Sequence, residues 1–175
     1  MKSYTRSQQA EPGQLEELVD ELRAADRAIA RAVALAGRLA GSGVCETVEG
    51  LPLEHFLGLA ARLTHSDRRM LIGAGEALAA MPVTAGLFAD GALSWSQVRG
   101  IVSAAKGLRV AQREDLDARV AATIDQRGGL EGLDADALVW AVSEAADELR
   151  GPKAARRAEQ RQRDSAFLSR QSGLD

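Results

Sequence analysis

The sequence predicts an all-α protein: a compact multi-helix domain with a long N-terminal helix and a basic C-terminal helix that leads into a short strand. Apolar residues recur at spacings of three and four along most of the chain. Hydroxyl and acidic residues stand where helices would begin, and glycines stand where they would end. Aromatic residues make up only 3% of the 175 residues, and small side chains replace them, which suits helices that pack closely.

The first predicted helix follows a polar N-terminus, residues 1–14, that we expect to be disordered. An apolar heptad seam then runs to the glycines at 41–43. The seam favours either a long helix packed on its own domain or a dimer interface. Alanine at half of the seam positions weakens a two-stranded coil, because each alanine buries little area. The candidate interface residues are Leu15, Leu18, Leu22, Ile29 and Leu39.

The next segment holds the residues that could suggest a metal site. Residues 44–50 are expected to form a linker or a short extended piece, and a helix follows with Pro52 in its first turn. His55 and His65, without a second cysteine or carboxylates at a fixed spacing, do not make a zinc set. Cys45, the single cysteine, is interpreted as a small buried hydrophobe, and it excludes an internal disulfide.

A pair of helices is predicted over 64–81 and 94–106. Thr64 caps the first helix with an acidic residue three positions later, and Ser94 begins a Ser-x-x-Gln capping box for the second. Gly73 and Gly75 lie inside the first helix, where we expect them to allow close packing. The pair loosely resembles a helix-turn-helix motif, although its connection is longer than the usual turn.

The motifs of this helix pair resemble a known family. ALSWSQVRGIV, which follows a short apolar helix, and the earlier ARLTHSDRRML are similar to the domain of unknown function 222 family. That family resembles the N-terminal half of actinobacterial HNH endonuclease-like proteins, also called thirteen-E-twelve repeat proteins. The resemblance covers roughly residues 15–175. It implies a helical region that usually precedes an HNH nuclease domain, here truncated before that domain.

Two further helices complete the predicted helical domain, residues 15–150. One begins near Val110 and ends at the glycines 128–129, and Asp134 caps the other. Trp140 lies off the apolar stripe of the second helix, where it would cover a loop or mark a partner surface. Residues 151–175 change character: a basic, helix-prone segment precedes FLSRQSGLD, which we expect to begin a truncated β region.

The charge distribution supplies candidate binding residues. The net charge of −3 excludes a uniformly basic nucleic-acid binder, but residues 51–110 and 151–175 are net positive and residues 111–150 are strongly negative. Such a dipolar surface can steer its basic side toward a polyanion. The candidate DNA-binding residues are Arg62, Arg68, Arg69, Arg99, Lys106, Arg156 and Arg157.

Catalytic signatures are missing from the sequence. An HNH nuclease needs two histidines and an asparagine on a ββα element, but the chain contains no asparagine, and both of its histidines lie in helical surroundings. No glycine-rich phosphate loop follows a strand. We therefore expect no catalytic residue, metal or cofactor, and no enzyme activity. The lack of a signal peptide or a long apolar run leads us to expect a cytoplasmic chain without membrane partners.

Two functional hypotheses from different classes follow. The first is a non-catalytic module that binds duplex DNA or positions it for an HNH nuclease. The second is a helical dimerisation or protein-interaction module with the seam at 15–39 as its interface. A mobile-element remnant without activity is a third alternative. The candidate partners are duplex DNA, a second copy of the chain in a homodimer, and a separate HNH nuclease chain.

Overall fold

The structure, a computed structural model, describes residues 12–151, which form eight helices and no strand. The all-α prediction is therefore confirmed over this range. The basic segment and the expected strand after residue 151 lie outside the described residues. None of the described helices combines the length and the apolar character that a bilayer span requires. The helices are α1 (Pro12–Ala40), α2 (Val44–Glu49), α3 (Leu53–Ala60), α4 (His65–Leu78), α5 (Pro82–Ala89), α6 (Trp95–Ala105), α7 (Val110–Gln126) and α8 (Ala135–Arg150).

The second half of α1 packs on α4 and α5. At the crossing, Gly37 of α1 meets Gly75 of α4 backbone to backbone, and a Cβ added to Gly75 would lie 2.5 Å from the nitrogen of Gly37. No side chain fits between helices at this distance, so the close packing predicted at Gly75 is confirmed. The same expectation is wrong for Gly73, since a Cβ added there would meet no heavy atom of the described residues within 4 Å.

The core lies where α4 to α8 converge, and the ring of Phe88 stacks on that of Trp95 with 5.8 Å between centroids. Leu116, Val120 and Ile124 form the apolar buried side of α7. On α8, Ala146 is buried, and Ala145 and Leu149 are half-buried. The largest fully buried side chains are Phe88, Met81, Leu93, Ile101, Leu116, Leu138, Val33, Val98, Val120, Val142 and Thr84.

The predicted caps form as expected. The hydroxyl of Thr64 accepts a hydrogen bond from the N–H of Asp67 at 3.2 Å. Ser94 and Gln97 complete the reciprocal capping box at the start of α6, and Asp134 caps α8 by accepting from two backbone N–H groups. Each of these interactions joins residues within one turn, which is why sequence spacing revealed them.

The expectation of a linker or extended piece over 44–50 is wrong, because Val44–Glu49 forms α2. Gly43 and Gly50 frame this short helix with left-handed φ angles of 67° and 69°, which glycine adopts without steric cost. The β-branched residues of the segment had favoured an extended backbone. The helix buries Cys45, as predicted.

The connection between α4 and α6 is itself a helix, α5, so α4 and α6 are not two helices joined by a short turn. No side chain caps α5 from within its own segment. Instead, the buried carboxylate of Asp117 on α7 accepts hydrogen bonds from the N–H groups of Val83 and Thr84, both at 2.8 Å, and from the Thr84 hydroxyl at 2.7 Å. This cross-helix cap satisfies the first turn of α5.

Candidate nucleic-acid interface

A groove of about 530 Å³ lies between α4, the end of α6 and the start of α7. Three cations line it, namely Arg69, Lys106 and Arg113, together with one carboxylate, Glu76. His65 contributes an imidazole to the same lining. We call this feature the basic groove, since its cations outnumber its carboxylate.

The spacing of residues along α4 explains which of its side chains enter the groove. Arg69, Gly73 and Glu76 are separated by four and three residues, and such positions share one face of a helix. The opposite side of α4 is buried, where Gly75 and Leu78 meet the rest of the chain. The charged side chains therefore remain at the solvent-facing wall.

The end of α6 is held in place by a side chain from α8. The helix stops at Lys106, whose backbone is extended, and Gly107 follows with a left-handed φ of 81°. The guanidinium of Arg150 donates to the carbonyl oxygen atoms of Ala104 and Lys106. These bonds satisfy C-terminal carbonyls of α6, and they fix the backbone from which the Lys106 side chain enters the groove.

Arg113 is the groove residue that the sequence analysis missed. Gln112 donates to the carbonyl of Leu149 at 2.6 Å, which ties the start of α7 to the end of α8 and so places Arg113 in the wall. Within the described part of the chain, the buried Nε of Arg113 has no hydrogen-bond acceptor. A signal was present in the sequence: Arg109 and Arg113 stand at the start of a helix, where the helix dipole disfavours cations.

The structure brings two of the candidate DNA-binding residues together. Arg69 and Lys106 line the same groove although they belong to different helices. Arg99 is exposed on α6. It lies four residues before Ser103, a lining residue, and so shares its helix face, one turn beyond the groove. Arg99 therefore extends the basic lining along α6.

The other candidate DNA-binding residues lie elsewhere. Arg68 is half-buried against α3, since a Cβ added to Gly58 would overlap its guanidinium, and it faces about 100° away from Arg69 around α4. Arg62 is exposed between α3 and α4 with a left-handed φ of 54°, an unusual conformation for arginine. Residues 156–157, the two tail arginines, lie outside the described range.

The candidate interface residues on α1 divide into two groups. Leu15, Leu18 and Leu22 are 64%, 56% and 58% exposed. Ile29 and Leu39 are half-buried against the rest of the chain. Within residues 12–151 the seam is thus not one continuous intramolecular contact, and only its C-terminal part packs on the other described helices.

Other candidate groups do not form a site in the described part of the chain. No cluster of three or more His, Cys, Asp or Glu side chains between residues 12 and 151 could hold a metal ion. Burial, together with the nearby carboxylates of Glu46 and Glu49, raises the pKa of the Cys45 thiol, which disfavours its nucleophilic thiolate. Trp140 is 65% exposed, so most of its indole faces solvent rather than covering a loop.

No family model matches the chain, and no similar curated protein or solved structure was found. The resemblance to the domain of unknown function 222 family therefore rests on the two sequence motifs alone. The basic groove and the exposed part of α1 are the two surfaces of the described residues that are suited to binding a partner.

Proposed function

We propose that the chain is a non-catalytic helical module that binds the phosphate backbone of duplex DNA at the basic groove. The observation that carries this proposal is the convergence of Arg69, Lys106 and Arg113, from α4, the C-terminal cap of α6 and the start of α7, on one groove. The resemblance to regions that precede HNH nuclease domains supports the same assignment. In that context the module would position DNA for a nuclease domain rather than cut it.

The chemistry of the groove suits phosphate oxygens. Arginine offers paired N–H donors that match the geometry of phosphate, and lysine adds a compact positive charge. The start of α7 carries arginines without an acidic residue in its first turn, so its partial positive charge lacks compensation from that turn. A bound phosphate would supply negative charge at this helix end, as anions do at other helix N-termini.

Glu76 limits the expected affinity, because its carboxylate repels phosphate from the same groove. The interaction should therefore be weak, independent of base sequence and strongly dependent on salt, since the release of counterions drives it. Among the described residues, no Phe, Tyr or Trp side chain lines the groove. The His65 imidazole is the one ring in this lining on which an unpaired base could stack, so we expect duplex DNA to bind better than a single strand.

The experiment is a fluorescence-anisotropy titration of a labelled duplex at several salt concentrations. The slope of log affinity against log salt is negative. The Arg69→Gln/Lys106→Gln double variant should make it shallower by about two, because each phosphate contact contributes about 0.9 to its magnitude. The matched control is Arg119→Gln/Arg127→Gln, which removes the same charge from two exposed arginines, one on α7 and one at its C-terminal cap, both outside the groove lining. The control should retain the wild-type slope.

A third variant tests the carboxylate of the groove. Glu76→Gln removes a like charge without altering side-chain volume and should tighten DNA binding by about threefold at low salt. An absence of binding by the wild-type protein at low salt would overturn the DNA proposal. Equal slopes for the groove variant and the wild type, or equal losses in the groove and control variants, would overturn the assignment to this groove.

A further inference from the structure

The first half of α1 extends beyond the other described helices. From Gly13 to Ala25 every side chain is exposed, and we call this segment the arm. Its apolar side chains are Leu15, Leu18, Val19 and Leu22, with exposed fractions of 64%, 56%, 45% and 58%. Their spacing places all four on one side of the helix. An isolated helix of this length is only marginally stable in water, so a partner along the stripe would stabilise the arm.

The second half of α1 borders an apolar groove of about 400 Å³, between α1, α4 and α5. The exposed residues Ala34 and Ala79 are small and leave this space open, and the buried residues Val33 and Leu78 also line it. The α1 residues of the lining, 30–38, extend over roughly 12 Å, and the leucine stripe at 15–22 extends over roughly 10.5 Å, at the helical rise of about 1.5 Å per residue. The stripe and the groove therefore match in length and in apolar character.

Charge divides α1 at the same point. The arm is acidic, with four carboxylates and one arginine, whereas residues 26–40 carry three arginines and one carboxylate. If two copies of α1 paired in parallel, acidic arm would face acidic arm. If they pair antiparallel, the acidic arm of each copy faces the basic half of the other. The acidic residues of the arm are Glu16, Glu17, Asp20 and Glu21, and the arginines of the second half are Arg27, Arg31 and Arg38.

We propose that two copies of this chain pair antiparallel through α1, so that the leucine stripe of each arm occupies the apolar groove of the other copy. A two-fold axis near Asp26 and Arg27 would place Val19 opposite Ala34 and Glu16 beside Arg38. Because a two-fold interface repeats each contact, both stripes are covered and both grooves are filled. This inference uses surfaces outside the basic groove, so it stands or fails independently of DNA binding.

The first test is the oligomeric state of the full chain, measured by analytical ultracentrifugation over a range of concentrations. The wild type should dimerise, and Leu18→Glu/Leu22→Glu should raise the dissociation constant by roughly 100-fold, since each lost apolar contact is worth about tenfold or more. Both leucines are exposed, so the circular dichroism spectrum of the monomer should not change. The matched control, Val48→Glu/Leu59→Glu, adds the same charges at exposed apolar positions on α2 and α3 and should leave dimerisation intact.

The second test distinguishes antiparallel from parallel pairing by charge reversal. Glu16→Lys/Asp20→Lys should weaken the dimer, and so should Arg31→Glu/Arg38→Glu. All four substitutions on one chain should restore it, because the two halves again have opposite charge. In a parallel dimer the fourfold variant would gain no such advantage, so failure to restore the dimer would overturn the antiparallel arrangement.

The third test is disulfide formation between single-cysteine substitutions. A mixture of Val19→Cys and Ala34→Cys chains should form a mixed disulfide dimer under mild oxidation, while the native Cys45 is buried and should not compete. A Val19→Cys chain that links efficiently to itself but not to Ala34→Cys would overturn the proposed register. Wild-type protein that is monomeric at every concentration would show that the stripe takes an occupant other than a second copy, and would overturn the proposal.

Discussion

The two halves of α1, residues 13–25 and 26–40, carry similar apolar spacing but differ in what they contact. In the first half, leucines are more than half exposed, and no residue is buried. In the second half, Ala30, Val33 and Ala36 are buried against the chain's own helices. The comparison shows that periodicity identifies the apolar side of a helix but not whether another element covers it. Stability should therefore depend on the second half, and self-association on the first.

The largest effect is expected where the second half of α1 crosses α4. Gly75→Ala should lower the free energy of unfolding by about 3 kcal/mol, because the new Cβ would overlap the backbone of α1 and force the helices apart. Gly73→Ala is the matched control in the same helix. It adds a methyl group in open space and should raise stability by roughly 0.5–1 kcal/mol through helix propensity. Urea unfolding followed by circular dichroism measures both, and equal effects would contradict the backbone crossing.

A pair of valines compares the two halves directly. Val33 is 1% exposed and Val19 is 45% exposed on the same helix. Val33→Ala should cost about 2 kcal/mol of unfolding free energy, from lost burial and a residual cavity. Val19→Ala should change it by less than about 0.5 kcal/mol. The measurement should use dilute protein, so that dimerisation does not contribute. A large loss for Val19→Ala under these conditions would mean that the arm is covered within one chain.

A pair of aspartates tests where the contact between α1 and the other helices begins. The carboxylate of Asp26 accepts a hydrogen bond from the backbone N–H of Trp95 at 2.8 Å, at the first turn of α6. Asp26→Ala should therefore cost about 1 kcal/mol, as the loss of a helix cap does. Asp20 only faces Arg23 at 3.9 Å on the exposed arm, so Asp20→Ala should cost close to nothing. Thermal unfolding of both variants measures these losses of stability. Equal losses for Asp26→Ala and Asp20→Ala would contradict a tertiary contact that begins at Asp26.

Local opening should also differ between the two halves of α1. Amide hydrogens of residues 16–22 should exchange after opening that costs only about 1 kcal/mol in dilute protein, since their side chains are exposed and none of the other described helices covers them. Amides of residues 30–37 should exchange only through global unfolding. Hydrogen-exchange mass spectrometry resolves the two segments. Equal protection of both at low concentration would contradict the independence of the arm, and a rise in arm protection with concentration would support pairing.

Much of the fold could be predicted because helix ends depend on neighbouring residues. Thr64, Ser94 and Asp134 were identified as caps from residues within one turn of the chain, and the structure confirms all three. The short helix at 44–49 was missed, since its glycine ends and β-branched residues also suit an extended backbone. Local propensity is weakest for such short elements, where few backbone hydrogen bonds form.

The candidate site was predicted only in part. Arg69 and Lys106 were selected for their charge and their position off the apolar stripes, and the structure places them in one groove. Arg68 shares these properties in the sequence, yet it lies against α3. Arg113 lines the groove but was not selected as a candidate, because it belongs to an acidic stretch of the sequence. Net charge over a segment does not reveal which of its side chains meet those of another helix.

By itself the sequence determined the all-α class, most helix boundaries and the close packing at Gly75, because these depend on interactions within one helical turn or on the size of one side chain. The tertiary structure decided that Asp117, which lies 33 positions after Thr84, caps α5. It also decided that one half of α1 packs on other helices while the other half is exposed. Such outcomes depend on how helices pack in space. Residues distant in the sequence contribute to that packing, and no local pattern encodes their positions.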